Sequence, residues 1–197
     1  MGYELAKKKF YLELCNSMER ALKSRGWKTK VFERPEDAKE AILMEIPEGS
    51  SVGIPGSVTA RQLGLIDALK QRARVFEHWT NPDTADEMRM METKADVFIS
   101  SANAASLTGE IVVLDATGNR IVGSTLGPKK IIFLLSANKI ERDLNSALQR
   151  AWWRAVEINA IRLGVDPKSI LNFTLILHGP PRKAESLVVL IADDMGY

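Results

Sequence analysis

Short apolar runs alternate along the chain with stretches whose apolar residues recur at spacings of three and four. The first such stretch, Phe10–Leu22, predicts a helix that ends at Gly26. A strand over Trp27–Phe32 and a helix from Pro35 follow, and strand–helix units repeat as far as Asp96–Ser100. This alternation is typical of an α/β fold with an open, mainly parallel Rossmann-like sheet and helices on both faces. We predict that fold class.

The middle of the chain has a different pattern. Two apolar runs, Glu110–Leu114 and Arg120–Val122, flank a turn that contains Gly118 and Asn119. Apolar runs on either side of a Gly-Asn turn favour a β-hairpin. We therefore predict a small β-hairpin unit beside the main sheet.

The last third of the chain predicts two more strands after a long helix. An apolar strand, Ile131–Leu135, precedes a helix over Ile140–Arg162, which carries Trp152 and Trp153. Adjacent residues cannot both face one side of a helix, so we expect one tryptophan in the core and the other at a contact between subunits. The final strands, Leu171–Leu177 and Leu187–Ile191, are expected to pair antiparallel.

Length and composition indicate one globular domain. The chain has 197 residues, of which 45% are hydrophobic and 26% charged, values ordinary for a folded domain. We expect a single α/β domain over residues 1–197, with an N-terminal helical and strand segment at 1–48 and a core at 49–197.

The charge balance argues against polyanionic partners. Lys and Arg total 27 against 25 Asp and Glu, a formal net charge of +2, so nucleic acid and anionic membranes are poor default partners. No apolar run approaches the ~20 residues that a membrane span needs, and the start lacks the pattern of a signal peptide. We expect a cytoplasmic protein.

The chain has few residues that bind metals. Cys15 is the only cysteine, so one chain cannot form a disulfide or hold a cysteine-ligated zinc or iron–sulfur cluster. The two histidines, His78 and His178, have no nucleophile pattern or carboxylate cluster beside them, and we interpret both as structural or exposed. We expect neither a metal nor a cofactor.

Candidate ligand-binding residues follow the predicted parallel strands, because ligands bind beyond the carboxyl ends of such strands. In the first loop, Gly56 permits close backbone approach, and Ser57 and Thr59 supply hydroxyl groups at the start of a helix. A phosphate or carboxylate would suit this loop. The alternative is that Ser57 only caps the helix.

Two further loops leave the same edge of the predicted sheet. Asn103 lies among small residues that leave room for a ligand, although an Asx turn explains that loop nearly as well. Asn138 and Lys139 follow the most apolar strand, and Lys139 could fix an anion or simply lie along the next helix. The shared edge is the stronger argument for a site.

The predicted hairpin adds charged residues. If it leans over the sheet edge, Glu110 or Asp115 would be the general base, Arg120 would clamp an anion, and Gly118 and Asn119 would line the site. The alternative is a surface ion pair around a turn, which contributes little.

Three segments carry a family resemblance: Asp115–Arg120, Gly127–Ile132 and Ala137–Ile140. With them the sequence resembles the LUD-domain family, proteins similar to a component of bacterial lactate-utilisation systems. The likeness covers most of the chain beyond position 52 and extends to further short segments: Gly56–Thr59, Gly64–Leu65, Ser101–Ala104 and Asp193–Tyr197.

The resemblance implies a fold like that of sugar-phosphate isomerases and CoA transferases, an open α/β sheet with a small added β unit. It also implies phosphorylated or acyl ligands at the edge described above. Many family members carry a cysteine-rich segment after the long helix, and the corresponding stretch here, Leu163–Leu171, has no cysteine. Electron transfer through a cluster of its own is therefore not expected.

Three functions remain open. The first is an accessory subunit in L-lactate utilisation or a related organic-acid oxidation, which binds a small anionic metabolite and works with separate iron–sulfur partner proteins. The second is a stand-alone enzyme on a phosphosugar or an acyl or CoA-type substrate. The third is a structural subunit whose site has decayed. A second copy of the chain is also a candidate partner.

Overall fold

The computed structural model describes residues 2–197, which contain ten strands in two sheets. In chain order they are β1 (Lys28–Phe32), β2 (Ser51–Gly53), β3 (Arg74–Phe76), β4 (Val97–Ser101), β5 (Ala104–Ser106), β6 (Ile111–Asp115), β7 (Lys130–Ser136), β8 (Ile140–Glu141), β9 (Phe173–Leu177) and β10 (Glu185–Ile191).

The same residues form eight α-helices. They are α1 (Tyr3–Ser24), α2 (Pro35–Met44), α3 (Val58–Gln62), α4 (Leu65–Lys70), α5 (Ala85–Lys94), α6 (Asn119–Thr125), α7 (Leu144–Gln149) and α8 (Val156–Leu163). Short 3-10 turns occupy Pro82–Thr84, Ala137–Lys139 and Pro167–Ile170, and a π-helical segment, Arg150–Ala155, joins α7 to α8.

The main sheet is parallel throughout. Its six strands have the order β1-β10-β7-β4-β2-β3, with registers such as Val188 opposite Phe133 and Ser100 opposite Phe133. The central strands β4, β7 and β10 are buried along almost their whole length, as expected when both faces of a sheet are covered. The predicted fold class is confirmed.

Two hydrophobic cores cover the two faces of this sheet. On one face, Met18 and Leu22 of α1 pack with Phe133. On the other face, Ile42 of α2 and Leu65 of α4 pack against aliphatic residues of the main sheet. Such burial supplies most of the driving force for folding.

The second, smaller sheet has the order β8-β5-β6-β9. Ala105 pairs antiparallel with Ile111, and Val112 pairs antiparallel with Ile176. Residues of α7 and the π-helical segment cover one face through Ala147 and Ala151. A small β unit beside the main sheet was predicted and is present.

The composition of that unit differs from the prediction. Arg120 lies in the helix α6 and not in the second strand of a hairpin, and β5 takes the place of that strand. Gly118 adopts φ +96° at the helix N-cap, and the Asp115 carboxylate accepts the free backbone N–H groups of Arg120 and Ile121. A glycine with positive φ and a nearby side-chain acceptor suit a hairpin turn, and here the same features start a helix.

The predicted antiparallel pairing of the last two strands is wrong. β9 pairs with β6 in the small sheet, whereas β10 lies between β1 and β7 in the main sheet. Six of the seven β10 residues are buried, a pattern that suits the centre of a parallel sheet.

The predicted long helix is interrupted. It starts at Leu144 and not at Ile140, because Ile140 lies in β8 and Asp143 caps the helix by accepting the N–H of Ser146 at 2.8 Å. The π-helical segment leaves Trp152 and Trp153 44% and 76% exposed. Neither tryptophan is in the core, so that expectation is wrong for one of them.

Cys15 is fully buried in the inward stripe of α1, where burial raises the pKa of its thiol to about 12. It therefore packs as a small apolar residue of the core.

No helix formed by residues 2–197 has the length and apolar character needed to cross a membrane.

Candidate functional site

A cavity of about 610 Å³ lies beyond the carboxyl ends of the parallel strands. Its walls come from the loops after β2, β3, β4 and β7, from the start of α6 and from α8. Parallel strands direct their loops to this edge of a sheet, so the position agrees with the topology.

Lys139 is the most unusual residue in the wall. Its side chain is 1% exposed, and its Nζ donates a hydrogen bond to Thr59 Oγ1 at 2.8 Å. No carboxylate oxygen of residues 2–197 lies within 4.0 Å of Nζ. Burial, and then the nearby guanidinium groups of Arg150 and Arg120, lower the pKa of Lys139 from 10.5 to about 7, against a smaller opposing effect of Asp194.

Arg120 connects three of the loops. Its Nη2 donates to the carbonyl oxygens of Pro55 at 3.0 Å and Gly56 at 3.2 Å, and its Nη1 donates to Asn103 Oδ1 at 3.4 Å. Burial lowers the pKa of Arg120, and Asp115 opposes this change. The guanidinium forms no ion pair with a carboxylate of the described residues.

Asn103 holds its own loop in place. Its Oδ1 accepts the N–H of Leu114 at 2.8 Å, and its carbonyl oxygen accepts a 2.6 Å bond from Nη1 of the buried Arg150. Arg150 also donates from Nε to the carbonyl oxygen of Asn138 at 3.1 Å. Asn103 lines the cavity, whereas Asn138 does not.

Ser57 acts as a helix cap. Its hydroxyl accepts the N–H of Ala60 at 3.0 Å and donates to Ser101 at 3.1 Å, and the residue is buried behind the cavity wall. The helix that it caps, α3, has only five residues, so it adds little dipole. The capping interpretation accounts for Ser57.

Asp115 lines the cavity, but its oxygens are occupied. Oδ1 accepts the N–H of Thr117 at 3.1 Å, and Oδ2 accepts those of Arg120 at 2.8 Å and Ile121 at 3.1 Å. These bonds hold the turn into α6. Asp115 is therefore a poor general base. Gly118 contributes only its backbone to this turn and is not part of the cavity wall.

Glu110 lies outside the cavity, in an ion pair with Arg25. Ser106 and Thr108 donate hydrogen bonds to the other carboxylate oxygen. Burial tends to raise the pKa of Glu110, but these hydroxyl groups and Arg25 outweigh it, and the pKa is lowered. Glu110 was predicted to be in the site because the sequence pattern predicted a hairpin that leans over the sheet edge.

Glu110→Gln is expected to destabilise the protein by about 2–4 kcal/mol at neutral pH, because it leaves Arg25 without its carboxylate. A carboxylate with a lowered pKa stabilises the folded state above its unfolded pKa and loses that effect as the pH falls. The difference between variant and wild type should therefore shrink below about pH 4. Urea denaturation at both pH values measures it, and equal stabilities at neutral pH would contradict the structural role.

His78 and Glu92 form a pair that sequence reasoning missed. His78 Nδ1 lies 2.7 Å from Glu92 Oε1, which also accepts the backbone N–H of His78 at 2.9 Å. Glu92 is fully buried, and its Oε2 accepts a bond from Asn119 Nδ2 at 2.8 Å. His78 and Asn119 both line the cavity.

One sequence signal could have revealed this pair. Glu92 lies four residues after Met88 and three before Ala95, on the inward stripe of α5. A carboxylate on a buried stripe needs a polar partner, because an unpaired buried charge is costly.

Trp79 forms part of the cavity wall beside Gly56. The Arg61 guanidinium lies 5.3 Å and that of Arg162 5.0 Å from the centre of the indole ring. Cations over an indole face stabilise its position. The backbone of Gly56 has φ +64°, and a β-carbon there would lie 1.9 Å from Trp79 Nε1, so only glycine fits under this ring.

The wall carries three Asp side chains as well as three Lys and Arg side chains, but Lys139 and Arg120 form no ion pair with a carboxylate of residues 2–197, and this part of the wall suits an anion. Among residues 2–197, no three His, Cys, Asp or Glu side chains converge on a position that would hold a metal ion. The cavity wall combines Lys139 and Arg120 with the hydroxyl and amide groups of Thr59 and Asn119.

The model of the LUD domain family matches residues 15–193. This chain belongs to the LUD domain family. The resemblance seen in the sequence is thus confirmed over nearly the whole chain, including the segment before position 52.

Solved structures agree with the fold of a LUD domain protein. A DUF162 family protein from Deinococcus radiodurans is similar with a TM-score of 0.57 and 17% identity, over 92% of this chain and 97% of that one. The eIF2B delta of Chaetomium thermophilum matches 59% of this chain and 54% of its own at 14% identity, with a TM-score of 0.38 that is too low to bear on this protein. A comparison with curated proteins finds no match.

Proposed function

We propose that this LUD domain protein binds a small anionic metabolite, a carboxylate or a phosphate ester, between Lys139 and Arg120. The observation that carries the proposal is Lys139, a buried amine in the cavity wall with one hydroxyl partner and no carboxylate in contact. A buried cation without a counter-ion is costly, and a protein keeps one where a ligand supplies the opposite charge.

Arg120 supplies the second cation. Its bonds to Pro55, Gly56 and Asn103 fix the guanidinium plane at the cavity. A planar guanidinium that is already oriented loses little entropy when it binds a carboxylate or phosphate.

We further propose that the bound anion is a substrate or product of L-lactate oxidation or of a related organic-acid oxidation, in which this chain is an accessory subunit. The only cysteine, Cys15, is buried in the core, so the electrons would pass through separate iron–sulfur partner proteins. A second candidate function, a stand-alone enzyme on a phosphosugar or an acyl or CoA-type substrate, is favoured by the pair His78–Glu92 at the cavity.

Lys139→Met is expected to weaken the binding of orthophosphate and of pyruvate about 10-fold or more, because each loses a charge-assisted hydrogen bond. Isothermal titration of wild type and variant measures this change. The exposed Lys183→Met, which removes the same charge outside the cavity, is the matched control and should bind as the wild type does.

Binding should also take up a proton. In the protein without ligand, the pKa of Lys139 is about 7. A bound anion favours the charged form of the amine, so pyruvate should bind more tightly near pH 6 than near pH 9. Equal affinities of wild type and Lys139→Met for both test ligands would contradict the proposal.

A further inference from the structure

We propose that His78 is the acid–base group of a proton transfer on the bound anion, and that Glu92 positions it. The inference rests on the proposed function, because the anion is the one held by Lys139 and Arg120. It goes further by making the protein an enzyme and by defining its substrate as an anionic carbonyl compound, such as a 2-oxo acid or a phosphorylated ketone.

Glu92 sets the orientation of the His78 imidazole. Glu92 Oε1 accepts bonds from both the ring Nδ1 and the backbone N–H of His78, at 2.7 and 2.9 Å. Two bonds to one oxygen fix the position of the ring and favour the tautomer with its proton on Nδ1. The lone pair then lies on Nε2, as a general base requires.

The other ring nitrogen of His78, Nε2, is free to react. It makes no hydrogen bond with residues 2–197, and it is not among their buried unpaired polar atoms, so it keeps contact with solvent. The side chain of His78 is 11% exposed and lines the cavity.

Glu92 is itself held in place by α6. Its second oxygen accepts a 2.8 Å bond from Asn119 Nδ2, and Asn119 Oδ1 accepts a bond from Thr117 Oγ1 at 2.6 Å. Asn119 immediately precedes Arg120 on α6. The element that places the anion clamp therefore also supports the carboxylate behind the imidazole.

Two acidic residues close to His78 in the sequence have ion-pair partners of their own. Asp86 pairs with Arg89 at 2.6 Å, and Glu77, next to His78 in the chain, pairs with Lys70 at 2.9 Å. The indole of Trp79 lies beside the imidazole, with ring centres 5.3 Å apart. Glu92 is thus the carboxylate in direct contact with the ring.

The chemical step needs no co-reactant. Nε2 of His78 takes a proton from the carbon next to the ligand carbonyl; that C–H bond breaks, an N–H bond forms, and the electron pair moves to the carbonyl oxygen to give an enolate. The cations Lys139 and Arg120 stabilise the new negative charge. The imidazolium exchanges its N–H proton with solvent, and return of a proton to the same carbon then gives solvent exchange of the ligand hydrogen. In a hydroxyketone, the hydroxyl proton moves to the former carbonyl oxygen, and return of the imidazolium proton to the neighbouring carbon gives an isomer.

The first experiment needs no substrate. Long-range proton–nitrogen correlation spectra of the folded protein report the tautomer of each histidine, and His178→Asn identifies the signal of His78. We expect the Nδ1–H tautomer in the wild type, because the Glu92 carboxylate can only accept a hydrogen bond. In Glu92→Gln we expect a mixture of the two tautomers, because the amide can either accept from Nδ1 or donate to it. A wild-type His78 with its proton on Nε2 would overturn the proposal.

The second experiment follows deuterium incorporation into pyruvate and dihydroxyacetone phosphate in D₂O by proton spectroscopy. We expect exchange by the wild type and a loss of about 100-fold or more in His78→Asn, whose amide keeps the donor to Glu92. His178→Asn, which changes an exposed histidine outside the cavity, should exchange as the wild type does.

Calorimetric titration with orthophosphate separates this inference from the proposed function. His78→Asn should bind phosphate as the wild type does, whereas Lys139→Met should lose both binding and exchange. Absence of exchange with both carbonyl compounds, or unchanged exchange in His78→Asn, would overturn the acid–base role and leave anion binding intact. Loss of phosphate binding in His78→Asn would make it a binding residue instead.

Discussion

Replacing Lys139 with methionine is expected to raise the melting temperature of the ligand-free protein by roughly 3–10 °C at pH 7, equivalent to about 1–3 kcal/mol of stability. Most substitutions of fully buried residues have the opposite sign. The gain is expected because methionine fills a similar volume without a charge. The substitution removes only one hydrogen bond, the one from Lys139 to Thr59. A residue that destabilises the folded state is kept for its function.

The pH dependence of this gain tests its cause. The pKa of Lys139 is about 7 in the folded state, below its ordinary value of 10.5, which corresponds to at most about 5 kcal/mol of unfavourable interaction of the charged amine. Between these pH values the unfolded state binds more protons, so the stability of the wild type rises with pH. The advantage of Lys139→Met should therefore shrink from about pH 7 to about pH 10.

Chemical denaturation of wild type, Lys139→Met and the surface control Lys183→Met at several pH values measures the effect. The control should follow the wild type throughout. A Lys139→Met protein less stable than the wild type at pH 7 would show that the amine is well solvated or paired, and the main argument for an anion at this position would fail.

The sheet was predictable because its physical cause is local. The central strands β4 and β7 are runs of apolar residues bounded by turn signals, and α1 carries Cys15, Met18 and Leu22 on one stripe. A helical stripe is identified by its period of three and four, and a short apolar run is identified as a strand by its length and its flanking turn residues.

The small sheet was harder to predict because its strands are short and its pairing is not local. β5 has three residues and β8 two, too few to show a period. β9 reaches β6 across almost 60 residues, with Phe173 opposite Asp115. The hairpin prediction failed at Gly118, where one glycine serves equally as a turn residue and as a helix N-cap.

The position of the cavity followed from topology, but its chemistry did not. Loops after parallel strands meet at one edge, and this rule brings Gly56, Asn103 and Lys139 to the same cavity wall. The pair His78–Glu92 depends on how α5 is rotated against the loop after β3, which no local pattern specifies. The different environments of Asp115 and Glu110 also depend on tertiary contacts.

Replacing Gly56 with alanine is expected to have the largest structural effect on the site. The φ of +64° strains any other residue, and the new methyl group would lie 1.9 Å from Trp79 Nε1. The indole must then leave its place beside Arg61 and Arg162, and the carbonyl oxygen that accepts a bond from Arg120 moves with the loop. We expect a loss of about 2–4 kcal/mol in stability, more than backbone strain alone would cost.

Gly49→Ala is the matched control, because Gly49 has φ +76° but no atom within 4 Å of the added methyl group. It should show the backbone strain alone, about 1–2 kcal/mol, and bind orthophosphate as the wild type does. The difference between the two variants in urea denaturation isolates the displacement of Trp79. In calorimetric titration Gly56→Ala should bind phosphate at least about 10-fold more weakly, because Arg120 loses its orientation. If both variants lost equal stability and kept full binding, Trp79 would not rest on Gly56, and the loop after β2 would not set the geometry of the anion clamp.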